Sequence, residues 1–278
     1  MILCGEMADW PALSLWTPDY LKAQVGPRLV EFQAGRSANP RFERDKHAHR
    51  GEGPIDAFID RITAPGAGND AYITAYNSNR NADALSVLAG DLGRLDRFLD
   101  SAAPQADGMI WIGPAGTFTP LHHDLTNSFI AQVVGRKQLL VLPAAEVGRL
   151  YNDQRVFSRI ADLEDPGLDF AAFPRLSGAR AYPVTLEPGE ILLTPLAGWR
   201  QVRSLEFSVT VTYTNFLWPN DAAATWPGDS GPWEGRRGFR RGGDACVRLE
   251  PPSPLRGCFP HHPAFAGSGE EGPSSGAG

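Results

Sequence analysis

Cysteine is scarce in this sequence: Cys4, Cys246 and Cys258 are the three among 278 residues. An odd number at no metal-ligand spacing argues against a disulfide framework and against a zinc knuckle. A basic excess is also missing. Lys and Arg number 26 against 32 Asp and Glu, a net charge of −6, so a sequence-independent nucleic-acid binder is not expected. No apolar run reaches the roughly 18 residues of a membrane helix. The opening MILCGEMADWPALSLW has neither a basic n-region nor a clean apolar h-region, so no secretory signal is expected. The expectation is a cytoplasmic chain with no membrane partner. A hydrophobic content of 42% and an aromatic content of 10% exclude a wholly disordered chain. The length suits one large domain or two small ones.

Chain breakers are unevenly spread. Residues 219–278 hold 12 Gly and 9 Pro and end in GSGEEGPSSGAG. Such a stretch buries too little apolar surface to offset chain entropy, so it reads as a largely irregular tail. Within it, Trp226, Trp233 and Phe239 are candidates to pack back on the body. Arg236, Arg237, Arg240 and Arg241 are candidates to meet an acidic partner. A solvated tail is the simpler reading.

Ahead of the tail, Thr17-Pro18 opens a short amphipathic helix that Gly26 closes. LVEFQAG reads as a strand, and GPIDAFIDRIT as a second helix with Ile55, Phe58, Ile59 and Ile62 on one face. DAYITAYN alternates like a strand, and ADALSVLAGDLGRLDRFLD reads as a third helical stretch. From residue 108 the runs are short and β-rich: GMIWIGPAGTFTPLHHD, NSFIAQVVG, KQLLVLP, ARAYPVTLEPGEILLTP and FSVTVTYTNFLW. Turn residues separate them, as in a sandwich or barrel. AAEVGRLYND reads as a short helix or turn, and residues 154–178 as an inserted loop. The expected fold is α+β and mainly β, with a helix-rich part over 1–100 and a double-sheet core over 108–218.

The segment richest in chemistry is Thr119-Pro120-Leu121-His122-His123-Asp124. In a strand, residues i and i+2 share a face. His122 and Asp124 therefore aim an imidazole and a carboxylate at one point, while His123 faces away. Such a pair suits divalent iron when a second His from another strand completes it. Alone, a His-x-Asp pair is more often a surface coincidence. Singly, Lys137 reads as a solvated hairpin lysine, Thr119 as a β-branched strand residue and Asn215 as a strand-end cap. The context is longer: Gln132-Val133-Val134-Gly135-Arg136-Lys137, the apolar run Leu139–Leu142, Pro188-Gly189-Glu190, Pro195, Gly198-Trp199-Arg200-Gln201-Val202, then the strand Ser208–Asn215.

In this order and spacing the set resembles the cupin-like, JmjC-type branch of the iron(II)- and 2-oxoglutarate-dependent oxygenases. Within that branch it is most similar to bacterial relatives of the asparaginyl hydroxylase factor inhibiting HIF. The likeness is clearest over 108–221 and weaker back to Leu29. The resemblance implies a double-stranded β-helix (jelly-roll) core, one cupin-like domain over 1–218, Fe(II), and 2-oxoglutarate as cosubstrate. It implies hydroxylation of an unactivated C–H bond in a peptide, amino acid or natural-product intermediate. By position, His122 and Asp124 match the first two iron ligands. Lys137 matches a lysine that pairs with the distal carboxylate of 2-oxoglutarate, and Thr119 a hydroxyl on that carboxylate. Tyr72 matches a tyrosine with the same partner, and Asn215 an amide near metal and cosubstrate. An ammonium with two hydroxyls is a sound cradle for a buried carboxylate. Relatives of this kind commonly dimerise, but the tail here has no helical pattern, so a homodimer stays open.

The likeness breaks at one position. Where it implies the second His ligand, this chain has Arg200. A guanidinium stays protonated and offers no lone pair to a metal. Three outcomes are open. Iron is held by His122, Asp124 and 2-oxoglutarate alone; or His47 or His49, in KHAHR, fills the gap; or Arg200 pairs with Asp124 and leaves a metal-free pocket that still takes a carboxylate. The expected activity is a 2-oxoglutarate-dependent dioxygenase. The alternative is a catalytically degenerate cupin-like binding protein.

Overall fold

A computed structural model describes residues 1–104, 106–153 and 155–220, and the backbone of Ser253 and Pro254. The aromatic and arginine residues noted in the tail lie outside these. In chain order the elements are β1 (Ile2–Cys4), α1 (Ala12–Leu15), α2 (Pro18–Val25), β2 (Leu29–Gln33), β3 (Arg50–Pro54), α3 (Ile55–Thr63) and α4 (Ser78–Leu85). Then come β4 (Met109–Gly113), β5 (Phe118–His123), β6 (Ser128–Val134), β7 (Lys137–Leu142), β8 (Arg180–Leu186), β9 (Glu190–Thr194), β10 (Trp199–Ser204), β11 (Ser208–Tyr213) and β12 (Ser253–Pro254).

The N-terminal helices form where the local signals place them. The Thr17 hydroxyl accepts the Tyr20 amide at 3.2 Å, and Pro18 takes the first helical position of α2. In α3 the buried residues are Ile55, Phe58, Ile59 and Ile62, the apolar stripe expected from their spacing. The third helical stretch needs correction. α4 ends at Leu85 and only 3-10 turns continue it to Asp91; Gly90 and Gly93 disfavour a helix beyond that point. The DAYITAYN run also differs from a free strand. Tyr72 and Ile73 make single bridges to Gln33 and Ile112, after which a Thr74–Asn77 capping box turns the chain into a 3-10 helix.

The β core is two antiparallel five-stranded sheets, ordered β1-β9-β6-β11-β4 and β12-β8-β7-β10-β5, with β2 and β3 paired apart. This is a jelly-roll α+β fold. The strands that escaped the sequence pattern include β1, three residues long, and β10, whose WRQVRS carries two arginines and a glutamine. Each is held by its neighbours, β1 by β9 and β10 by β5 and β7.

Alternation sorts the side chains of the first sheet. Phe129, Ala131 and Val133 of β6 and Val209, Val211 and Tyr213 of β11 share one core with Leu21, Val25, Phe58 and Ile62 from the helices. The opposite face of the same strands, Ser128, Ile130, Thr210 and Thr212, looks between the sheets into a cavity. In the second sheet Leu140, Leu142 and Trp199 face outward and are covered by Leu150, Ile160, Leu163 and Leu176. The inserted loop is thus the lid of a second core, and it also caps the edge of β5: Leu121 donates to Ala161 at 2.8 Å and His123 to Val156 at 2.9 Å. Among the described residues, no helix is long and apolar enough to cross a membrane.

Candidate functional site

The cavity between the sheets has a volume of about 440 Å³. Its wall includes Tyr72, Thr119, His122, Asp124, Lys137 and Arg200. The structure therefore gathers six of the seven residues singled out by sequence. It leaves out Asn215. On β11 and just beyond, Thr210, Thr212 and Thr214 face inward, so Asn215 has the opposite parity. Its amide donates to the Asp100 carbonyl at 2.8 Å instead. The expectation that Asn215 lies near metal and cosubstrate is corrected: it ties the end of β11 to the N-terminal part.

Lys137 enters the cavity from the start of β7. The β6–β7 turn depends on Gly135, at φ 69; a Cβ there would lie 2.1 Å from the Phe207 carbonyl oxygen. Gln132 braces this turn, donating to the Val134 and Gly135 carbonyls at 2.7 and 2.8 Å. Lys137 is buried, and its ammonium donates to the Tyr72 hydroxyl at 3.2 Å. No carboxylate pairs with it among the described residues. Burial lowers its pKa to about 7 and raises that of Tyr72 above its ordinary value, since both charged forms lose water. The Thr119 hydroxyl has no hydrogen-bond partner among the described residues. An ammonium with one neutral partner, in a cavity whose wall also includes Thr119, suits an anion.

Tyr72 is itself held in place. Its ring lies against Gly113, where a Cβ would come within 2.5 Å of it. On the other side is Arg36, whose guanidinium sits 5.0 Å from the Tyr72 ring centre and 4.3 Å from that of Phe42. Arg36 donates to the Phe118 carbonyl at 2.7 Å and to Glu43 at 3.1 Å. Glu43, Lys46 and Tyr76 stand in the cavity wall as well. Sequence reasoning missed these, because they come from irregular segments with no periodic signal.

At the other end, β10 runs antiparallel to β5 with Arg200 directly opposite His122. The His122 Nδ1 lies 2.7 Å from the Pro120 carbonyl. A carbonyl can only accept, so Nδ1 carries the proton and Nε2 keeps its lone pair. Burial first, then the Arg200 charge, lowers the His122 pKa to about 4. Arg200 forms a tight ion pair with Asp124 through Nη2. Burial alone would raise the Asp124 pKa, but the charges of Arg200 and His122 outweigh it and hold it below its usual value. The other terminal nitrogen of Arg200, Nη1, is buried without a partner among the described residues. His123 faces away as expected, its ring 4.7 Å from that of Trp199.

The two histidines considered as substitutes for a ligand are engaged elsewhere. His47 bonds the Tyr76 hydroxyl at 2.7 Å. His49 lies 2.9 Å from the Ala34 carbonyl and 3.0 Å from Asn39. Neither lines the cavity.

A sequence profile described as the cupin-like domain matches residues 1–219. The chain belongs to the cupin-like domain family. It is 28% identical to lysine-specific demethylase 8 of Xenopus tropicalis, over 77% of this chain and 47% of that protein. It is 27% identical to lysine-specific demethylase JMJ30 of Arabidopsis thaliana, over 81% and 51%. It is 28% identical to human HSPB1-associated protein 1, over 78% and 47%. The chain thus spans about half the length of the curated relatives it matches. None of these three names carries the narrower likeness to asparaginyl hydroxylases.

The cupin-like cavity fits a carboxylate better than a metal. Among the described residues, no three His, Cys, Asp or Glu side chains group as a metal site. Asp124 is committed to Arg200, whose guanidinium lies directly against it. Iron held by a three-residue triad does not fit this arrangement. An anion fits the Lys137, Tyr72 and Thr119 end.

Proposed function

We propose that the cavity binds a small dicarboxylate of the 2-oxoglutarate class, with one carboxylate on Lys137, Tyr72 and Thr119. The observation that carries this is the buried Lys137 ammonium, whose one hydrogen-bond partner among the described residues is a tyrosine hydroxyl. A buried cation without a counter-ion is unfavourable, and an entering carboxylate relieves it. Tyr72 uses its oxygen to accept from Lys137, so its own proton remains for the ligand. The Thr119 hydroxyl can add a second donor. Burial within the jelly roll strengthens each of these contacts by excluding water.

Saturating 2-oxoglutarate is expected to raise the thermal midpoint of the protein by mass action. The Lys137→Met variant is expected to lose that shift. An unshifted parent protein, with no heat of binding in calorimetry, would overturn the proposal.

A second reading is a 2-oxoglutarate-dependent oxygenase acting on a C–H bond of a peptide, amino acid or natural-product intermediate. Two observations favour it: His122 keeps the Nε2 lone pair free beside Asp124, and two relatives are named demethylases. In this reading Lys46 and Tyr76, at the cavity wall, would meet the substrate. Nucleic acid and membranes are not among its proposed partners. The discriminating experiment is anaerobic loading with Fe(II) and 2-oxoglutarate, then oxygen. Succinate release that vanishes in Asp124→Ala establishes the oxygenase. Equal, background release from both proteins leaves the dicarboxylate-binding function alone.

A further inference from the structure

Resting on the dicarboxylate reading, we infer that Arg200 stands in for a metal ion: its guanidinium takes the second carboxylate of a linear dicarboxylate, so the ligand binds without any divalent cation. Four observations converge. Arg200 is 6% exposed, and its Nη1 is buried with no partner among the described residues. A charged donor left unpaired in the interior is expensive, so a shift of the Arg200 side chain that brings this nitrogen to an acceptor in the cavity is favoured. The guanidinium is a fork with two faces for carboxylates, and Asp124 engages one terminal nitrogen only. The Arg200 side chain is 7% exposed whereas that of Asp124 is 38% exposed. The cation is therefore the fixed member of the pair, and the acid can shift aside.

The spacing fits the ligand. Across β10 and β7, Arg200 opposes Val141 while Lys137 opposes Ser204. The two cations start four residues apart along the strand, about 13 Å at roughly 3.3 Å per residue. Both side chains line one cavity. A short diacid with a carboxylate at each end is small enough for this cavity of about 440 Å³. Two cations neutralise two carboxylates, while Asp124 already offsets part of the charge of Arg200. A divalent cation, by contrast, would have to displace Arg200 from Asp124 and then remain beside it.

The test uses the full chain freed of metal with EDTA, and calorimetric titration with 2-oxoglutarate and with succinate. Binding is expected in EDTA, with an affinity that Mn(II) changes by less than about twofold. Arg200→Gln is expected to weaken it by at least about tenfold, the value of one hydrogen bond to a charged group. Asp124→Asn separates the two alternatives without emptying the site. It removes the competing acid from Arg200, so affinity should stay equal or rise, whereas a metal-dependent site would lose it. Circular dichroism melts establish that both variants are folded. Binding that vanishes in EDTA and returns with Mn(II), or that falls in Asp124→Asn, overturns the role given to Arg200 and leaves the dicarboxylate site standing. Absence of binding with and without Mn(II) removes both.

Discussion

Thr119 and His122 face the same cavity although they lie three positions apart on one strand. In a regular strand an odd spacing puts two side chains on opposite faces. Here Thr119 pairs with Val202 and His122 with Arg200, so Pro120 and Leu121 together oppose Gln201 alone. The extra residue is a β-bulge on β5, and it flips the parity between the two ends of the site. Proline suits the bulge because it has no amide N–H to pair, and its carbonyl accepts a hydrogen bond from His122 Nδ1. The bulge is what brings the Thr119 hydroxyl into the same cavity as the ion pair at Asp124.

The buried ammonium of Lys137 makes stability depend on pH. The unfolded chain carries the ordinary value of 10.5 and the folded one about 7. Between these values the unfolded state binds more protons, so the unliganded protein gains stability as pH rises through that window. Below about pH 7 the penalty for burying the charge is fully present. Lys137→Met should therefore raise the melting temperature most near pH 6, with a gain that shrinks toward pH 10. Scanning calorimetry over a pH series checks this; a gain independent of pH contradicts it.

Tyr72→Phe keeps the ring against Gly113 and Arg36 but removes the hydroxyl between Lys137 and the ligand. The loss of one such hydrogen bond is about 1 kcal/mol. Affinity for 2-oxoglutarate should drop roughly fivefold by calorimetry, with the fold intact by circular dichroism. An unchanged affinity would place the carboxylate elsewhere.

Gly135→Ala puts a methyl group into the Phe207 carbonyl at a left-handed backbone position. The strain expected is about 1–3 kcal/mol. Because the turn aims Lys137, ligand affinity should fall along with the denaturation midpoint. Chemical unfolding and titration on the same preparation measure both.

Asn215→Ala should leave 2-oxoglutarate affinity within about twofold of the parent, since the side chain is turned to Asp100. Stability should fall by about 1 kcal/mol for the lost hydrogen bond. A large loss of binding would return Asn215 to the site.

Much of the fold was legible because local rules agree with tertiary need. The α2 cap at Thr17, the apolar stripe of α3 and the alternation in β6, β7 and β11 each encode one face that must be buried. Short or polar elements were not legible. β1 is too brief for a period, and β10 carries Arg200, Gln201 and Arg203, which are tolerated there because Asp124 and Asp162 pair with the arginines and Asp162 and Glu164 accept from the glutamine.

By itself the order of residues determined which chemical groups exist: an imidazole and a carboxylate two apart, a lysine after a glycine turn, and an arginine at position 200. Only the three-dimensional arrangement decided what those groups do to one another. The bulge in β5 turned Thr119 inward, the parity of β11 turned Asn215 outward, and the β5–β10 register set Arg200 against Asp124. The reason is physical. Residue type sets charge and hydrogen-bonding capacity, which are local, whereas partnership and burial depend on strand register, and register is fixed by contacts between segments far apart in the chain.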